Sequence, residues 1–221
     1  HMKALYQLPT HPASYTLFEY LEISLVAVIV SIPMGIGLKK LLAIFRSYFS
    51  HIPLIMRSPV AAILVTLIAY FFINHLNVPP SAVIGIGEDL MGDLINMSTV
   101  ETSFQILIAI ILGKTFVTAL TLMAGGSAGL LIPATFLGSF CGALMYKISV
   151  FYHLTTIATP TLYIVTGLVS SLVTVIEIPL TAIVFIIEVF GRTFGPSAIL
   201  GVCICHFFID QLKLYRVKKG K

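Results

Sequence analysis

The residues best suited to chemistry lie in one short run, Gly129-Leu-Leu-Ile-Pro133. Gly125, Gly126 and Gly129 open a turn between two apolar segments. Pro133 stands where the next helix begins, a position that suits its fixed φ and missing N–H. That helix starts inside apolar sequence, with no polar cap. The first N–H groups of a helix have no partner within it. In hydrocarbon they must be satisfied by protein, trapped water or a ligand. A helix N-terminus also carries partial positive charge, so an anion is a natural ligand. The run therefore predicts a buried anion site at the amides of Leu131 and Ile132, beside Gly129.

Other ionisable residues admit two readings each. Lys114 falls in the middle of an apolar segment, where a charge is expensive. It either hydrogen-bonds loop carbonyls or snorkels as a structural residue, or it supplies a potential that favours anions. Glu188 is either a proton carrier or a carboxylate that pairs with Arg192 or caps loop amides. Asp89 and Asp93 stand one turn apart, but no His lies nearby to complete a metal site, so no metal centre is expected. His153 reads as a loop residue. Cys141, Cys203 and Cys205 are odd in number and sit in apolar helical sequence without CxxC spacing, so they read as small packing residues. No Ser/His or HExxH arrangement points to an enzyme.

The surrounding elements are those of a membrane protein. Of 221 residues 58% are hydrophobic and 10% charged, whereas soluble domains are about a quarter charged. A helix of about 20 apolar residues crosses a bilayer. Long apolar segments are expected at 16–38, 58–76, 100–123 and 133–148, with a final helix over 196–212. Shorter ones fall at 88–97, 163–174 and 179–190. Residues 39–54 read as a basic amphipathic connector, and Thr102 as a cap for the third long helix. Ala134, Gly138 and Gly142 form a small-residue stripe that lets another helix approach. Pro179 marks a second helix start in apolar sequence. Discontinuous helices whose ends point at an ion are typical of transporters and channels. The net charge of +4 resides in two clusters, Lys39/Lys40/Arg46/Arg57 and Lys213/Arg216/Lys218/Lys219/Lys221. Both are expected on the cytoplasmic side, and neither reads as a nucleic-acid footprint.

Taken in order, these motifs resemble the C-terminal half of the membrane domain of CLC chloride channels and H⁺/Cl⁻ antiporters. Gly129-Leu-Leu-Ile-Pro133 is similar to the family's GxFxP anion motif. Gly113-Lys114 with Thr118 is similar to a GK-x-x-x-T stretch upstream of it. Gly167, Ile178-Pro179-Leu180-Thr181 and Glu188 resemble its G-M-x-A…A-P-L-T…E helix pair, and Lys213-Leu-Tyr215 its chloride-contacting tyrosine. There are departures: Leu131 replaces the motif's aromatic, Glu177 replaces a common Arg, and the G-S-G-I-P and G-R-E-G-P loops do not occur. The resemblance implies chloride as the transported ion, held by the amides of Leu131 and Ile132 and the hydroxyl of Tyr215. It implies no other cofactor, a missing N-terminal half as partner, and a homodimer formed partly through 179–190 and 196–212.

The expected organisation is all-α and polytopic, one half of an inverted-repeat fold with long tilted and short discontinuous helices. Residues 1–13 read as a tag remnant and loop, 14–216 as the transmembrane half-domain and 217–221 as a basic tail. The expected place is the inner (plasma) membrane, with the C-terminus cytoplasmic. Two alternatives stand beside the chloride reading: half of another ion-coupled inverted-repeat carrier, with Glu188 or Asp93 as coupling site, and a non-transporting membrane subunit.

Overall fold

The computed structural model describes residues 16–76, 78–85, 87–95, 103–125, 129–154 and 160–219, with backbone alone at 26–28, 30, 54, 88, 89, 93, 95 and 210–219. These residues are all-α. The helices are α1 Leu17–Ser50, α2 Leu54–Leu76, α3 Glu88–Ile95, α4 Phe104–Met123, α5 Leu131–Phe151, α6 Thr161–Ser171, α7 Pro179–Val189 and α8 Gly195–Lys219. Short 3₁₀ turns stand at Pro80–Ala82 and Arg192–Phe194, and a π turn at Leu172–Ile176. Among the described residues four stretches are long and apolar enough to cross a membrane: Ile55–Leu76, Phe104–Met123, Leu131–Phe151 and Arg192–Ile209.

The core is a pair of short-range partners, α5 and α6, wrapped by α1, α4 and α8. The small-residue stripe explains their closeness. A Cβ added at Gly142 would strike the Tyr163 carbonyl and come within 2.8 Å of Ile164 Cα. One added at Gly167 would meet the Gly138 carbonyl and lie 2.9 Å from Gly142 Cα. With no side chain between them, the backbones touch and one polar bond becomes possible across the pair. The Ser171 hydroxyl reaches Ala134 O at 2.6 Å. Two other buried hydroxyls are satisfied within their own helices: Ser139 donates to Thr135 O and Thr166 to Leu162 O, at 2.9 and 2.7 Å.

Helix ends differ from the sequence expectation in four places. α1 does not stop at Lys39 and Lys40 but continues to Ser50, with Pro33 inside it. Leu38, Phe45 and Phe49 recur at helical spacing and face inward; Phe45 and Phe49 pack with Ala61 and Leu120. This apolar stripe and good helix formers carry the helix past two lysines. At its other end Thr16 and Glu19 form a capping box. α2 starts at Leu54 rather than 58, directly after Pro53, and holds Pro59 in its second turn. Ser103, not Thr102, occupies the cap position of α4, without a side-chain bond; Thr102 lies outside the described residues. α8 runs seven residues beyond Leu212, because no Gly or Pro interrupts 213–219 and cations suit a helix C-terminus.

Candidate anion site at the start of α5

Leu130 holds the N-cap position of α5, Leu131 and Ile132 are its first two residues, and Pro133 is its third. Pro133 therefore stands two residues later than expected, and the consequence is simple. Ala134 N already bonds Leu130 O at 3.0 Å, and Pro133 has no N–H to leave open. Helical geometry then leaves the amides of Leu131 and Ile132 without an intrahelical acceptor. No side chain caps this end. The chain reaches it through Gly125, which turns at φ 92, and through Gly129, where an added Cβ would meet open space. Leu131 and Ile132 are 45% and 46% exposed, so in this chain the helix start opens outward rather than lying buried.

One turn further on, α5 becomes fully buried. Phe136 is sealed in the core and stacks on Phe140 at 4.4 Å. Lys114, on α4, points its ammonium over the Phe136 ring, 4.8 Å from the centroid, and donates to the carbonyl of Gly85. It is 3% exposed, and among the described residues no carboxylate pairs with it. Of the two readings of Lys114, the bond to a loop carbonyl is present. Sequence alone did not supply its partners. Phe136 looked like one more apolar residue, and Gly85 lies 29 residues away.

The second helix start is α7. Pro179 is its first residue and Ile178 its cap position, with Ala182 N bonded to Ile178 O at 3.0 Å. Thr181 is exposed and caps nothing. Glu177, just before it, adopts a left-handed conformation (φ 67, ψ 40) and accepts an ion pair from Lys39 at 2.6 Å. Its amide bonds Leu172 O at 3.1 Å, which closes the π turn. The Lys39 contact was missed because the two residues are 138 apart.

Glu188 is exposed near the end of α7; of its readings, the ion pair with Arg192 is not formed. Tyr215 lies within α8 rather than just after the last helix; its side chain is outside the described residues. The side chains of Asp89 and Asp93 are likewise outside them. Among the described residues no group of three His, Cys, Asp or Glu could hold a metal. All three cysteines are free, with Cys141 and Cys205 buried and Cys203 exposed. His153 occupies the turn after α5, at φ 53.

Long apolar helices beside short broken ones, around a glycine-packed core, define a polytopic membrane protein. Comparison of the sequence places it more narrowly. The family described as voltage gated chloride channel matches residues 2–210, and the chain belongs to that family. It is also 29% identical, over 153 residues, to an uncharacterized protein of Methanocaldococcus jannaschii; the match covers 69% of this chain and 34% of that protein. The chain thus aligns with about a third of that relative's length.

Proposed function

We propose that this chain forms part of a chloride pathway and that the N-terminus of α5 holds the ion. The observation that carries the reading is the start of α5 itself, with no side-chain cap and no acidic residue in its first turn, where the amides of Leu131 and Ile132 have no acceptor within the helix. Such an end offers convergent N–H donors and the positive pole of the helix dipole. It attracts an anion without a fixed full charge, so the ion is held firmly enough to enter and loosely enough to leave. Gly129 keeps the approach clear of a side chain. Membership of the voltage gated chloride channel family supports chloride as that anion.

The shell is shared. Leu131 and Ile132 stand on an open face of this chain, so further protein contributes the rest of it, with the Tyr215 hydroxyl as a second contact from α8. Exposed apolar residues of α7 and α8, Leu180, Val184, Ile199 and Phe207, suit a twofold contact with a second copy. Anomalous diffraction from crystals of the full-length protein grown in bromide tests the site. The expected peak lies at the first turn of α5, within hydrogen-bond reach of both amides and of Tyr215. Peaks confined to other places would refute the assignment.

A further inference from the structure

We infer that Lys114 is a positioning residue, which sets the first turn of α5 by pinning the backbone at Gly85 and Gly87 against Phe136; this rests on the chloride site proposed above. An apolar side chain at 114 would fill the space more cheaply, because a charge deep in a membrane protein is costly and is usually found with a partner. Lys114 instead has a carbonyl and an aromatic face. Its ammonium donates to Gly85 O and lies 4.8 Å over Phe136. The same ring also lies against Gly87. A Cβ at Gly87 would run into it, with Cδ2 at 2.8 Å, and Gly87 itself turns at φ 73. Phe140 backs the ring at 4.4 Å. Lys114, this backbone and Phe136 thus form one knot that joins α4 and the segment before α3 to α5.

The position of the knot matters. Leu131 and Ile132 are half exposed, whereas Phe136 is fully buried. Phe136 is the large anchored side chain nearest the open turn, so its placement fixes where the two amides point. A charge acting through space would depend on Lys114 alone. A positioning knot depends on all its members, including those without charge.

Chloride affinity of the full-length protein, measured by calorimetry at a temperature where each variant is folded, separates the two. Lys114→Met removes the ammonium, Phe136→Leu removes the ring face, and Gly87→Ala displaces the ring while leaving the charge in place. Each is expected to weaken chloride about tenfold, within the range by which residues away from a ligand alter affinity. Lys114→Met combined with Phe136→Leu is expected to weaken it little beyond either alone, since both release the same contact. If Phe136→Leu and Gly87→Ala bind as wild type while Lys114→Met does not, Lys114 acts by charge and the positioning role is wrong. If Gly87→Ala does not fold, Phe136→Leu decides alone. Absence of bromide from the α5 start of the wild type would instead overturn the site itself, a result independent of the variants.

Discussion

Glycine has different physical meanings along α5 and the turn before it. At Gly142 the Cβ position is occupied by the backbone of α6, at Tyr163 and Ile164. Backbone cannot move aside as a side chain can, so even alanine must push the helices apart. At Gly129 the Cβ position is empty and φ is not in the left-handed region. Gly142→Ala is therefore expected to destabilise by about 2 kcal/mol or more, in the range of overpacked cores. Gly129→Ala should stay within about 0.5 kcal/mol, as surface changes do. Reactivity of the buried Cys141 and Cys205 with a thiol dye during heating, in a Cys203→Ser background, reads both. Equal midpoints for the two variants would show that α5 and α6 are not in backbone contact. The stripe at Ala134, Gly138 and Gly142 was legible in sequence because its period is that of a helix face. Its partner was not, because Gly167 reads alone as a single glycine in an apolar run. The same limit hid the knot around Lys114: spacing exposes a charge in the wrong solvent but does not say which distant carbonyl or ring receives it.

Among the elements, helix starts were easier to read than helix ends. Pro179 begins α7 as expected, and the run around Pro133 begins α5 within two residues. Proline acts locally, through its own ring and missing donor, so sequence carries the signal whole. The ends of α1 and α8 were read short because lysines suggest a membrane boundary. A bilayer boundary is not a helix boundary, and Phe45 and Phe49 continue the buried stripe of α1 beyond it. The joint between α6 and α7 also escaped the sequence, since nothing marks Glu177 as left-handed. That conformation costs an L-residue roughly 1–2 kcal/mol. Its ion pair with Lys39, both side chains about 40% exposed, returns at most about 1 kcal/mol. Strain wins this comparison. Glu177→Gly should therefore melt at or above the wild-type temperature despite losing the pair, while Glu177→Val, whose branched Cβ is least suited to positive φ, should melt below it. A Gly variant less stable than the Val variant would mean that the ion pair, and not the backbone, governs the joint.

At the scale of the whole molecule, the helix directions determine which ends share a side of the membrane. α1 and α8 start together, with the Tyr20 hydroxyl 3.5 Å from Thr193 O. Further along, α1 meets the π turn after α6, where the Thr174 hydroxyl lies 3.4 Å from Ser31 O, and α8 meets α6 where Gly201 faces Thr166 and Ser170. The contacts advance in the same order along both helices, so α1 and α8 run in the same sense and finish at the same end. That end also receives the C-terminus of α4, since Phe45 and Phe49 pack with Leu120 and Met123. α5 returns beside α4, with Phe104 and Phe151 6.2 Å apart at the opposite end. The later halves of α1 and α8, with Lys39 and Lys40 on the former, therefore run toward the same end, and we propose that this end faces the cytoplasm, where Lys and Arg are enriched. Impermeant maleimide on intact cells, in a Cys203→Ser background, should leave cysteines at Ser47 and Gly220 unlabelled until the cells are opened. A cysteine at Leu154, which is 63% exposed beyond the end of α5, should react from outside. Ser47 and Gly220 reacting from opposite sides would mean that α1 and α8 are antiparallel in the membrane. Leu154 sharing their side would break the α4–α5 hairpin, and with it the placement of the α5 start at the proposed cytoplasmic end of the molecule.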